Sequence, residues 1–370
     1  MHSPQKPSTD KKSTSFFKRS YQWFYHFYLR YLFKRDTILS TFSVFIVIGM
    51  FSILPLNTGI LNPFKTALQD LDFNDISYAV LNKNASTPID NRIIIVNIGN
   101  ADRLGISLMI EKLSMAKPKV IGMDVSFDGA KDPQNDSILR AVISNTPNFI
   151  LASKIDWSNK SNPEYIGHFG NSAKERGFVN LIGEDGGTIR NFSPFEKING
   201  KTLNSFPVAI AGKADKRAFD ILRNRKKPYE VIHYTRKLEQ YMMIDGNDVI
   251  DDNIAPELIR DKIVLMGFIS SDPFNVEDKH YTPLNKQFAG KSTPDMYGIV
   301  IHANIISMIL DSKYIRNIPV WLFWIITILI AWLHVALFMR YYIEDHIWFV
   351  IFCSVFVITK RVSRNFHTVR

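Results

Sequence analysis

An aspartate that follows a buried strand is the first candidate binding residue in this chain of 370 residues. The run from Lys119 to Val125 is almost wholly apolar, as is typical of a strand inside a parallel sheet, and Asp124 lies near its carboxyl end. In open α/β sheets the carboxyl ends of the strands form the rim where ligands bind. Asp124 could therefore bind a ligand or a hard cation there, or it could cap a neighbouring loop.

A histidine and an asparagine late in the chain are the next candidates. His302 falls on the same helical face as a series of isoleucines, and Asn304 follows two residues later. An imidazole near a carboxylate can transfer protons, so Asp124 and His302 would also suit an enzyme of the cell envelope. The alternative is that His302 is a hydrogen-bonded core residue, which is common for a lone histidine on an apolar face.

Two more charged residues complete the candidate set. The planar guanidinium of Arg190 suits carboxylates and phosphates, although a structural ion pair is the alternative. Asp278 precedes Thr282 and Pro283, a pattern that predicts a locked loop. The predicted ligand-binding residues are thus Asp124, Arg190, Asp278, His302 and Asn304.

A metal site is a weaker interpretation of the same region. His168, His280 and His302 with Asp124 offer suitable ligand atoms, but their spacing is not that of a compact metal motif. We therefore predict no metal. We also predict no cofactor and no catalytic residue.

The candidates require a particular arrangement of strands and helices. Ile93 to Val96 is β-branched throughout and predicts a buried strand, the residues from Ile106 to Leu113 have helical spacing, and Lys119 begins the next strand. Strand, helix and strand at this separation predict a right-handed βαβ unit. A further strand at 262–268 would open on the same rim as Asp124, a loop at 272–294 would cover that rim, and a helix beginning near Gly298 would bring His302 to it.

The remaining sequence patterns predict an α/β domain with a central, mostly parallel sheet flanked by helices. Glycines between Gly183 and Gly187 predict a hairpin. The other predicted elements are a helix around 136–142, a strand at 149–153, the hairpin strands at 178–181 and 188–195, and helices at 205–214 and 217–227.

The charge distribution indicates a membrane protein. The net charge of +10 belongs to the two ends of the chain: residues 1–36 carry eight Lys or Arg against two Asp, and residues 360–370 carry four. Basic tails on a neutral body favour membrane-flanking charge and argue against nucleic-acid binding. The single cysteine, Cys353, excludes a disulfide within the chain.

Two or three apolar segments divide the chain. Residues 37–54 contain no charge and are just long enough to span a bilayer. By the positive-inside tendency, the basic tail stays in the cytoplasm and the main domain lies outside. The predicted divisions are a basic and aromatic tail at 1–36, a transmembrane helix at 37–55, an extracytoplasmic domain at 56–318, a second transmembrane helix at 319–340, a third span or re-entrant segment at 341–359, and a basic tail at 360–370.

Five short motifs give the chain a resemblance to a known family. Over roughly residues 65–312 it resembles the type-2 CHASE domain, the extracytoplasmic sensory module found ahead of bacterial kinases and cyclases. The chain lacks that family's usual acidic residues after the first strand and its Trp-Pro motif. The matching segments, in order, are Gly122-Met123-Asp124, the turn from Asp185 to Arg190, the strand from Lys262 to Gly267, the loop from Asp278 to Pro283, and the helix start from Gly298 to Asn304.

The resemblance implies a sensory protein of the bacterial inner membrane, with its main domain in the periplasm. We expect it to bind an envelope ligand and, because neither tail is long enough to fold as an output domain, to signal through a separate partner. A docking or assembly factor is the further alternative, which a large exposed apolar patch without a polar crevice would favour.

Overall fold

The computed structural model describes residues 31–53, 87–127, 129–159, 163–183, 187–272, 274–285, 293–315 and 318–343. The chain divides into two compact units, one formed by residues 1–60 with 317–370 and the other by residues 61–316. The predicted tail and exit segments at 1–30, 54–86 and 344–370 lie outside the described residues.

The described elements confirm a mixed α/β chain. The helices are α1 (Arg35–Ile53), α2 (Arg103–Met115), α3 (Pro133–Asn145), α4 (Phe206–Ala214), α5 (Lys216–Asn224), α6 (Gly246–Ile250), α7 (Pro256–Ile259), α8 (Gly298–Leu310) and α9 (Val320–Ile343). The strands are β1 (Ile93–Asn97), β2 (Val120–Asp124), β3 (Phe149–Asp156), β4 (Glu164–Ile166), β5 (Glu175–Phe178), β6 (Asn191–Phe192), β7 (Phe195–Ile198), β8 (Lys201–Asn204), β9 (Glu230–Val231), β10 (Met242–Asp245), β11 (Ile263–Gly267), β12 (Lys279–His280) and β13 (Met296–Tyr297).

A seven-stranded sheet forms the centre of the larger unit. Its order is β10-β1-β11-β2-β3-β4, and β5 pairs with β3 as well. Every pairing in it is parallel except that of β3 with β4. The predicted mostly parallel sheet is therefore confirmed, and the strand of Asp124 neighbours the predicted late strand, now β11.

Helices cover both faces of this sheet. Ile93 and Ile95 face a core shared with α4 and α8, whereas Ile94 and Val96 face a core shared with α2 and α3. Successive side chains of a strand point to opposite faces, so a strand that is apolar at every position suits a three-layer arrangement. Gly122 of β2 lets α4 approach, because a methyl group there would lie 2.4 Å from Ile210.

The hairpin prediction was wrong. β5 ends at Phe178 and joins the main sheet beside β3, and only an isolated bridge joins Ile182 to Asn191. The hairpin that does form in this region joins β7 to β8. Its turn is Asn199-Gly200, where both residues have positive φ, and Asn-Gly is the sequence signature of a tight hairpin turn.

The smaller unit contains α1 and α9. Trp332 Nε1 donates a hydrogen bond of 2.9 Å to the carbonyl of Leu32, and its ring packs edge-on against Phe33. Among the described residues, one helix is long and apolar enough to cross a bilayer, with Val320–Met339 as its apolar stretch. That agrees with the predicted span at 319–340, while membrane crossing by α1, at the predicted span of 37–55, is not confirmed.

Candidate functional site

A cleft opens where the carboxyl ends of β2, β3 and β11 meet. Its volume is about 820 Å³. The described charged groups that line it are three carboxylates, of Asp124, Glu277 and Asp278, and one ammonium, of Lys154. The cleft lies at the edge where α/β sheets generally bind ligands.

Asp124 and His302 meet in this cleft, as the sequence analysis expected. Asp124 Oδ2 lies 3.6 Å from His302 Nε2, because β2 delivers the carboxylate at its last residue and α8 delivers the imidazole from its second turn. The His302 ring also packs edge-on against Phe206, with the ring centroids 5.3 Å apart. The pair therefore connects β2 to α8 at this edge of the sheet.

His302 is a buried neutral imidazole. Burial, with a smaller contribution from His280, lowers the pKa of His302 to about 3. The contact with Asp124 is therefore not an ion pair near neutral pH. Nδ1 of His302 has no hydrogen-bond partner among the residues that the structure describes, although the side chain is only 3% exposed. A buried polar atom without a partner is costly, which makes His302 unusual for a structural core histidine.

Asp278 lies against the first turn of α8. A methyl group at Gly298 would lie 3.4 and 3.5 Å from its two carboxylate oxygens, and the Gly298 N–H donates a 3.0 Å hydrogen bond to the Asp278 carbonyl. A carboxylate there complements the positive end of the helix dipole. Of the residues in the predicted loop lock, Thr282 donates from its N–H and its hydroxyl to Asp295, at 2.8 and 2.7 Å.

One wall of the cleft is an aromatic and ionic cluster. Phe127 packs edge-on against Phe169, and the guanidinium of Arg103 lies 5.7 and 5.3 Å from their ring centroids. Arg103 also pairs with Asp136, and the Arg103 hydrogen bond is the main reason that the pKa of Asp136 is lowered. His168 Nε2 lies 3.7 Å from Asp136 Oδ2. These interactions connect the aromatic pair to α2 through Arg103 and to α3 through Asp136.

Asn304 does not line the cleft, which corrects its predicted role. It is fully buried, and its Oδ1 accepts hydrogen bonds of 3.1 Å from the N–H groups of Thr235 and Arg236. Its Nδ2 donates to the carbonyls of Arg236 and Val300 at 2.9 and 3.0 Å. Asn304 thus satisfies the backbone N–H and carbonyl groups of the loop around Thr235 and Arg236, which belongs to none of the described strands.

Arg190 is also absent from the cleft. Its carbonyl accepts a hydrogen bond of 2.9 Å from the N–H of Ile232, and the neighbouring residues Asn191 and Phe192 form β6 beside β9. Three of the five predicted residues, Asp124, Asp278 and His302, share the site.

The histidines of the weaker metal interpretation do gather in the cleft. His168, His280 and His302 all line it together with Asp124. Within the described ranges, however, no group of three or more His, Cys, Asp or Glu side chains is arranged to hold a metal ion.

A second polar cluster, at the opposite edge of the sheet, was not predicted. Asp90, with a side chain only 3% exposed, accepts hydrogen bonds from Arg92 Nε and Nη2 at 2.8 and 2.7 Å and from the Ser307 hydroxyl at 2.8 Å. Arg92 Nη1 donates to Asp311 at 2.7 Å, and Arg236 Nη1 lies 3.7 Å from Asp90. We call Asp90, Arg92, Arg236, Ser307 and Asp311 the basal network.

The basal network keeps Asp90 ionised. Burial by itself would raise the pKa of Asp90, but hydrogen bonds from Arg92 and Ser307 outweigh it and lower the pKa to about 2. Its sequence signal was weak: Asp90 and Arg92 stand two residues apart just before β1, and their partners lie more than 140 residues away.

The comparisons with known proteins agree with the fold and with the motifs. A family model described as CHASE2 domain matches residues 45–339, well over half of the chain. No significant match was found among curated proteins or among solved structures. CHASE2 domains are extracytoplasmic sensory domains of membrane proteins, and the family is sensory rather than catalytic. On the strength of this match, which takes in the sheet, the cleft and α8, the chain belongs to the CHASE2 domain family.

Proposed function

We propose that this protein is a membrane-anchored receptor that binds a small molecule in the cleft around Asp124 and His302. The observation that carries the proposal is the cleft of about 820 Å³ at the carboxyl ends of β2, β3 and β11, where Asp124 of β2 meets His302 of α8. A concave site of this size at the edge where parallel strands end, with apolar walls and a few polar groups brought together, is expected of a ligand-binding site.

Helix α8 offers a route by which binding could be reported. Gly298 and His302, near its start, line the cleft, and Ser307 and Asp311, at its end, belong to the basal network. Twelve of its thirteen residues are buried, so the helix is held along its whole length of about 20 Å. A displacement at the cleft would therefore reach Asp90 and Arg92, just before β1.

The site gives little support to an enzyme, despite the short distance between Asp124 and His302. A general base works best when its pKa lies near the operating pH. The pKa of His302 is lowered to about 3, so the imidazole would bind a proton too weakly to accept one efficiently near neutral pH. We therefore assign His302 to binding.

Anchoring and signalling complete the proposal. The apolar stretch Val320–Met339 would cross the bacterial inner membrane, a second crossing would use residues 37–55, and the main domain would lie in the periplasm. The signal would pass to a separate partner protein. The basic residues of the tail at 1–36, which precede the crossing at 37–55, support this orientation, since juxtamembrane cations favour the cytoplasmic face.

The binding claim can be tested on the full chain in mild detergent. We expect a small-molecule extract of the bacterial envelope to raise the melting temperature of the wild type and to leave that of Asp124→Asn unchanged. Asp220→Asn is the matched control, because Asp220 is an exposed aspartate of α5 outside the cleft. If the extract shifts Asp124→Asn as much as the wild type, the site is wrong, and if it shifts none of the three, the receptor proposal fails.

A further inference from the structure

The end of α5 and the turn that follows it carry an excess of positive charge. Residues 223–230 contain four Lys or Arg against one acid, Glu230. An exposed cluster of cations raises the local concentration of anions. This cluster lies outside the cleft, so ligand binding there does not account for it. We call the following residues the basic turn: Arg223, Arg225, Lys226, Lys227 and Tyr229.

Two of the four cations already share a carboxylate. The side chain of Glu230 is only 1% exposed, Arg225 Nη2 donates a 3.0 Å hydrogen bond to it, and Lys227 Nζ lies 3.7 Å from it. Arg223 and Lys226 are exposed, and neither forms an ion pair with a residue that the structure describes. The basic turn therefore combines a fixed base with two cations that can meet an external anion.

The other carboxylates of this region leave that charge largely uncompensated. Asp311 accepts a 2.7 Å hydrogen bond from Arg92 and lies 3.7 Å from Lys313. Asp220 is exposed one helical turn before Arg223, and it forms no ion pair within the described part of the chain. The surface at the end of α5 thus keeps a positive balance.

Tyr314 connects the basic turn to the membrane anchor. The guanidinium carbon of Arg225 lies 4.3 Å from the centroid of the Tyr314 ring, which packs against the core of the larger unit. The apolar stretch that would cross the bilayer begins six residues later, at Val320. Because an extended chain spans at most about 3.6 Å per residue, Tyr314 lies no more than about 22 Å from Val320. The covalent chain therefore keeps the basic turn within reach of a bilayer surface.

Tyr229 adds an aromatic side chain to the cations. It is 50% exposed, and the carbonyl of the preceding residue, Pro228, accepts a 3.1 Å hydrogen bond from the Ser193 hydroxyl. An aromatic ring with a polar tip is typical of the membrane–water interface. Basic and aromatic side chains together on one surface are the combination that anionic lipid attracts.

We propose that the basic turn binds the anionic phospholipid headgroups of the membrane that anchors the chain. Arg223 and Lys226 contact the headgroup phosphates, and Tyr229 lies at the interface. A positive surface on a folded domain does not conflict with export of that domain, because the positive-inside tendency counts short loops. The inference rests on the proposed anchoring by Val320–Met339 and goes beyond ligand binding in the cleft.

The test uses a fluorescent label beside the basic turn of the full chain in lipid vesicles. Cys353→Ser removes the natural thiol, and Asn224→Cys, next to Arg223, carries the label on an exposed position. Phosphatidylcholine with a nitroxide on its headgroup quenches labels that lie close to the membrane surface. We expect quenching about twofold stronger or more when phosphatidylglycerol makes up about a third of the lipid than when it is absent. The difference should vanish in about 1 M salt, where the Debye length falls to about 3 Å.

Charge variants of the labelled chain locate the effect. Arg223→Gln combined with Lys226→Gln should abolish the dependence on phosphatidylglycerol, whereas Arg223→Lys combined with Lys226→Arg should retain it. The matched control is Lys131→Gln combined with Lys154→Gln, which removes the same charge from two exposed residues at or near the cleft. We expect the control pair to keep the full dependence.

Three results would each overturn the inference: no effect of phosphatidylglycerol on the labelled chain, an effect that survives in the Gln pair at 223 and 226, or an equal loss in the control pair. A basic turn that faces an acidic protein instead of lipid would give the first result. If the full chain does not associate with vesicles, the anchoring and this inference fail together.

The receptor proposal is tested separately, because the Gln pair leaves the cleft intact. Envelope extract should stabilise that variant as much as the wild type. A lipid effect without stabilisation by extract would refute the receptor alone, and stabilisation by extract without a lipid effect would refute this inference alone.

Discussion

The two ends of α8 present opposite solutions to burying polar groups. At the basal network, Asp90 is surrounded by donors from Arg92, Ser307 and Arg236. At the cleft, His302 is equally buried but keeps Nδ1 without a partner among the described residues. Buried polar groups are normally satisfied, and exceptions cluster at functional sites. The difference indicates that one end of the helix stabilises the fold, and it supports the proposal that the other end binds a ligand.

The largest expected effect comes from breaking the basal network. Asp90→Ala leaves Arg92, Arg236 and Ser307 without their shared acceptor, and removal of one partner of a buried ion pair costs about 3–5 kcal/mol of unfolding free energy. Chemical denaturation of the full chain in detergent measures it. Asp220→Ala is the control, since Asp220 is an exposed residue of α5 outside the network and its replacement should change stability by less than about 0.5 kcal/mol. Equal losses in both variants would show that the network is not a stabilising centre.

The next effect concerns Asn304, two residues from His302 on the same helix. Asn304→Leu removes the acceptor of two N–H groups and a donor to the Arg236 carbonyl, all in a buried region. We expect a loss of about 2–4 kcal/mol, because each buried group left unpaired costs about 1–3 kcal/mol. A variant as stable as the wild type would mean that these groups find other partners.

The pH dependence of stability should distinguish the two ends. The pKa of His302 is about 3 in the folded protein, below its ordinary value of 6.5, so the unfolded chain binds the extra proton between these values and stability falls as the pH falls. The slope from this residue is at most about 1.4 kcal/mol per pH unit. Asp90, with a folded pKa of about 2, loses its contribution only between about pH 4 and 2. Between pH 4.5 and 7, the unfolding free energy of His302→Leu should therefore depend less on pH than that of the wild type. That of Asp220→Asn should depend on pH as much as that of the wild type. An unchanged pH dependence in His302→Leu would show that this imidazole titrates normally.

The sequence predicted the parts of the molecule that local patterns determine. The apolar runs at Ile93 and Lys119 gave the parallel strands, and the rule for strand ends brought Asp124 and His302 to one cleft. Prediction from the sequence failed where a role depends on distant partners. Asn304 has the place of a site residue beside His302, yet its hydrogen-bond partners lie near residue 236. The basal network was missed for the same reason, since spacing along the chain does not show which acceptor Arg92 will meet.

The most direct test of the account is the unfolding free energy of His302→Leu, measured with and without envelope extract. Leucine fills a similar volume and removes a buried polar atom that lacks a partner among the described residues, so we expect stability equal to the wild type or higher by about 1 kcal/mol. The stabilisation by extract should disappear, because the substitution changes the polarity and the shape of the site. A loss of about 2 kcal/mol or more, like that expected for Asn304→Leu, with the extract effect retained, would contradict the claim that the cleft end of α8 is built for binding.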